Sequence, residues 1–71
     1  MATVTAAERL AAYRAAFEAV LAAFTELEQA LGKSPREVRA EGRLGEAVAT
    51  ASTAAHDGLM TIANAEQGRP G

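Results

Sequence analysis

Between Thr5 and Gly32 the large side chains fall at Leu10, Tyr13, Phe17, Val20, Phe24, Leu27 and Leu31, spaced alternately three and four apart. That alternation is the a/d seam of a coiled-coil-like helix, one packed along its length against another helix. Leu21 widens the seam by one position. The pattern predicts an all-α chain and leaves open what covers the seam.

Both ends of this first helix are marked. Thr5 is a good N-cap with Glu8 three residues later, the capping-box spacing, and Gly32 supplies a left-handed stop. The helix is expected over about 5–31. In the link Gly32-Lys33-Ser34-Pro35, Ser34 caps a second helix, Pro35 takes its first position and Glu37 completes a second capping box. A link this short makes the two helices antiparallel neighbours, a helical hairpin.

The second helix is expected over about 35–66, with Leu44, Val48, Ala51, Ala55, Leu59 and Ile62 on its core face. Gly42 and Gly45 each weaken it by about 1 kcal/mol relative to alanine. They also interrupt the register, since Val38 points about 100° away from the later stripe. Residues 35–41 therefore read as a separate turn, with a bend at Gly42–Gly45. The rings of Phe17 and Phe24 are expected across from the small residues between Gly42 and Ala51, large against small. Residues 67–71 read as a disordered tail, and the chain as one domain, 1–71.

At 71 residues the chain is marginal alone, and with no cysteine and one histidine it has neither disulfides nor a multi-histidine metal site to staple it. Self-association is the remaining device. The expected arrangement is a homodimer in which two hairpins form a four-helix bundle. Alanine fills 19 positions, and Ala12, Ala16, Ala19 and Ala23 make a stripe beside the large one. That stripe, with Ala49, Ser52 and His56 on the second helix, is the expected dimer interface, beside Gly45 and Ala63.

Signals for chemistry are weak. His56 and Asp57 are neighbours in sequence and so point apart on a helix. No Glu-x-x-His, EF-hand or phosphate-loop spacing occurs. No catalytic residue, cofactor or metal is expected. The net charge of −2 supplies no basic field for nucleic acid. One charge feature remains: Arg36, Arg39 and Arg43 recur at helical spacing beside Lys33, and arginine clusters read carboxylates or phosphates by bidentate bonds.

The N-terminus carries no basic segment before an apolar run, and no stretch of 18 apolar residues occurs, so a cytoplasmic protein without a membrane span is expected. Arginine outnumbers lysine six to one, which with the alanine excess suits a GC-rich bacterial or phage genome. The hairpin outline resembles that of many small helical proteins, among them secretion co-chaperones, plasmid copy-number regulators and phage-encoded inhibitors, and no motif here selects one. The expected function is a non-catalytic protein-interaction module, an adaptor or inhibitor. A phage or mobile-element antagonist of a host regulator fits the size. An assembly subunit of a larger complex or phage particle is the alternative, and a nucleic-acid-binding regulator using Arg36, Arg39 and Arg43 is the second.

Overall fold

A computed structural model of the chain describes residues 3–68. It is all-α, with three helices: α1 Ala6–Leu31, α2 Pro35–Arg39 and α3 Arg43–Glu66. The start of α1 is held reciprocally. The Glu8 backbone N–H donates to Thr5 Oγ1 at 3.1 Å, and the Thr5 N–H donates to Glu8 Oε1 at 2.9 Å. At its other end Gly32 adopts φ 65°, and the N–H groups of Gly32 and Lys33 return to the carbonyls of Gln29 and Glu28. This is the Schellman stop, which a β-carbon at Gly32 would strain.

The Ser34–Glu37 pair repeats the capping box at α2, with bonds of 2.8 and 3.3 Å. In both boxes the carboxylate accepts the cap residue's backbone N–H first and its side chain's bond second, which holds Glu8 and Glu37 below their ordinary value of 4.5. A lowered folded-state value means stability that is present above that range and lost as pH falls through it. Acidification from about pH 5 to pH 3 should therefore lower the thermal midpoint, read by circular dichroism. A Glu8→Gln/Glu37→Gln variant keeps the capping geometry without the titration and should show a flatter acid limb. Parallel curves for the two proteins would refute this role for the boxes.

The expected second helix is divided. Gly42 sits at φ 127°, ψ −160°, a conformation open to glycine and strained for other residues, and it separates α2 from α3. The division re-aims Val38. On a continuous helix it would point off the core stripe; on α2 it turns inward and is the most buried side chain described, at 0% exposed. Gly45 makes the approach possible. A β-carbon there would meet the Val38 carbonyl carbon at 3.0 Å and its oxygen closer still.

Helices α1 and α3 run antiparallel. Phe24 packs with Val38 and Ala49, Phe17 lies on Gly58, and Arg14 pairs with Glu66 near the open end. Phe24 thus meets the small residues expected of it. Phe17 does not: it lies two turns further along α3, on Gly58, because the antiparallel register carries it past Ala51. A β-carbon at Gly58 would come within 2.9 Å of the Phe17 ring.

The core faces differ from the sequence expectation in rotation. On α1 the line turned toward α3 is Leu10, Arg14, Phe17, Leu21, Phe24 and Glu28, all at least partly covered. The other half of the seam lies to one side, with Val20 and Leu27 half-buried and Tyr13 and Leu31 exposed. On α3, Ala55 and Ile62 are buried and Val48 and Leu59 half-buried, but Ala51 is exposed and Leu44 is 89% exposed. Leu44 stands at the first turn of α3, where α2 packs on Gly45 instead. The buried apolar set is thin: Phe24, Val38, Ala49, Ala55 and Ile62. Of the tail, Gln67 and Gly68 form the turn that closes α3, and residues 69–71 lie outside the described residues.

Candidate functional site

Two helices side by side make a slab 18 Å thick, with two broad faces. One face holds an open groove of about 450 Å³ lined by Phe24, Pro35, Arg36, Arg39, Ala49, Ser52 and Thr53. The ring of Phe24 and the methyl of Ala49 give it an apolar floor. α2 sets Arg36 and Arg39, one helical turn apart, along its rim. Both guanidinium groups are exposed, and neither has an ion-pair partner among the described residues. The Thr53 hydroxyl donates to the Ala49 carbonyl at 3.1 Å, and the Ser52 side chain is half-buried at the wall.

Arg43 does not join them. The break at Gly42 places it at the first position of α3, outside the groove lining. The helical spacing that grouped the three arginines assumed one continuous helix, so the site reduces to Arg36 and Arg39. Lys33 is paired with Glu41 at 3.2 Å, across the foot of α2.

The opposite face is of another character. Leu27 and Leu31 of α1 meet Val38, Leu44 and Gly45 around a smaller groove of about 230 Å³, with Glu41 at its edge. At about 100° per residue, Tyr13, Val20, Leu27 and Leu31 form one flank of the inner line of α1, with Ala12, Ala16, Ala19 and Ala23 beyond them. Leu44, Ala47, Ala51 and Ala54 form the matching flank of α3. Neither flank carries a charged residue between Ala12 and Leu31 or between Leu44 and Ala54.

This geometry divides the dimer interface expected from sequence. The stripe Ala12, Ala16, Ala19 and Ala23 is exposed and borders the uncharged face. Ser52 and His56 lie on the other face, with the arginine groove. Ala49 is 4% exposed, covered by Phe24 and Val38 of its own chain. Gly45 is likewise buried, under α2. The expectation joins a flank of α1 to a set on α3 that lies inside or on the opposite face, because it takes Leu44 and Ala51, and not Gly45 and Ala49, as the inner positions of the second helix. The uncharged flank is legible in the same residues, since Arg14, Glu18, Glu26 and Glu28 all fall at other positions around α1.

His56 is exposed and stands apart from the groove lining. Among the described residues no group of three His, Cys, Asp or Glu side chains is placed to hold a metal ion. No helix among the described residues is long and apolar enough to cross a membrane. No protein-family model, no curated protein and no solved structure matches the chain.

Proposed function

We propose that the chain is a non-catalytic protein-interaction module, a small cytoplasmic adaptor or inhibitor that works as a homodimer with its two hairpins in a four-helix bundle. The observation that carries the reading is the groove: two unpaired guanidinium groups stand over an apolar floor. Arginine binds carboxylates in a planar two-point fashion, and an apolar floor beside it favours a segment that carries both a carboxylate and a hydrophobic side chain. The partner surface is therefore proposed to be acidic and amphipathic.

The test compares wild-type chain with an Arg36→Ala/Arg39→Ala variant as bait in lysate of the source cell. A stoichiometric protein retained by wild type and reduced at least about tenfold by the variant, a loss of about 1.4 kcal/mol or more, supports the reading. Equal capture by both removes the groove as the site. Growth well beyond a dimer in light scattering would favour an assembly subunit instead. Salt-sensitive retention on DNA, lost in an Arg36/Arg39/Arg43 triple-alanine variant, would favour a nucleic-acid regulator.

A further inference from the structure

Among the described residues nothing covers the uncharged face. Its flank on α1, Ala12 to Leu31, is about 29 Å long at 1.5 Å per residue, and two helices side by side are about 20 Å wide. With about 29 Å of α1 and about 15 Å of α3, each one helix wide, the plan area is on the order of 450 Å², and more when followed over the side chains. The largest apolar patch on an ordinary monomer is about 300–600 Å², and a standard protein interface takes about 800 Å² from each partner. The whole chain points the same way. It exposes 5447 Å², where a compact monomer of 7.3 kDa exposes roughly 4200 Å². Its radius of gyration is 14.9 Å, where a compact chain of this length has about 11 Å. Removing about 800 Å² per chain would take up most of the excess surface.

The relief of the face selects the occupant. Its α1 flank is tall, with Tyr13, Val20, Leu27 and Leu31; its α3 flank is low, with Ala47, Ala51 and Ala54. A two-fold axis running along the helices lays each tall flank over the other copy's low one, and leaves heights along the axis unchanged. The pairings Phe24 with Ala49 and Phe17 with Gly58 fix those heights. Val20 is level with Ala54, Leu27 with Ala47, and Leu31 with Leu44. Across the axis, Val20 would seat between Ala51 and Ala54 of the second copy. Leu31 would meet Leu44 of the second copy and close the end of the interface twice over.

We propose that the uncharged face binds a second copy of this chain, two-fold along the helices, with α1 of each copy lying over α3 of the other. This rests on the reading of the chain as a homodimer, and adds the face and the register. The arginine grooves then face outward on both sides of the four-helix layer, which leaves them open to other partners.

The experiment has two arms. Sedimentation of wild type at tens of micromolar is expected to show a dimer. Leu44→Glu and Ala51→Glu are expected to raise its dissociation constant about 100-fold or more by placing unpaired carboxylates in an apolar contact. His56→Glu, on the opposite face, should change it less than about threefold, with helix content retained in all. In the second arm, Val20→Cys chains are mixed with Ala54→Cys chains and oxidised; the native chain has no cysteine to compete. The mixed disulfide dimer is expected, and Val20→Cys with Thr53→Cys should give none. A monomeric wild type overturns the homodimer reading and this proposal together. A dimer that withstands Leu44→Glu and Ala51→Glu, or in which Val20→Cys chains link to one another in preference, overturns the face or the register and leaves the homodimer standing.

Discussion

Replacing Gly45 by alanine is expected to destabilise the chain by about 2–3 kcal/mol, although alanine is the better helix former. The intrinsic gain is about 1 kcal/mol. Against it stands a β-carbon driven into the backbone of Val38, with the carbonyl carbon at 3.0 Å and the oxygen nearer. Backbone atoms in a capped helix cannot swing aside as a side chain can, so α2 must lift away from α3. Lifting uncovers Val38, whose burial is worth about 1.5–3 kcal/mol. The loss should lower the melting temperature by about 10–15 °C for a domain of this size, read by circular dichroism and by the urea midpoint. Gly58→Ala is the contrast. Its neighbour is the half-buried ring of Phe17, a side chain that can shift where backbone cannot. The change there should be within about 1 kcal/mol of zero. Equal effects at the two glycines would mean that α2 is not packed on α3 as described.

Phe24→Ala should do more. Phe24 is 8% exposed and is the one large ring in a cluster completed by Val38, Ala49, Leu27 and Val48. Truncating a buried phenylalanine costs about 3–5 kcal/mol, and the low end applies here because the neighbouring groove already opens one side of the ring. A core in a chain this small supplies about 3–5 kcal/mol in all. The variant is therefore expected to be largely unfolded at room temperature, as a collapsed helical signal in circular dichroism. A cooperative melt within a few degrees of wild type would show that the cluster does not hold the fold.

How much of this could be read in the residues depended on whether the signal was local. The capping boxes at Thr5 and Ser34 and the stop at Gly32 are short-range arrangements, and each stands where its spacing put it. The separation of residues 35–39 from the later helix was also legible, because Gly42 both weakens a helix and admits a conformation that ends one. What followed from that break was not. By spacing Val38 points away from the stripe, yet the new direction of α2 carries it into the core. Leu44 falls on the core stripe by spacing, yet it is 89% exposed, because α2 packs on the next residue, Gly45, and Leu31 of α1 faces Leu44 only across an open groove. The arginine group lost Arg43 to the same break. Gly58 was missed entirely. Its signal was available: a glycine inside a long helix costs about 1 kcal/mol and calls for a packing reason. Which ring supplies that reason depends on the antiparallel register, and no local spacing contains it.

The arginine groove draws its lining from all three helices: Phe24 from α1, Pro35, Arg36 and Arg39 from α2, and Ala49, Ser52 and Thr53 from α3. Five residues of helix do not hold together in water alone, so α2 persists only while the elements on both sides of it do. An occupant of the groove would rest on every one of those elements at once. Ligand affinity and fold stability are then two measures of one equilibrium: saturation at a hundred times the dissociation constant would add about 2.7 kcal/mol to the folded state. For a chain with so little buried surface, an occupant of the groove would act as a part of the core that arrives from outside.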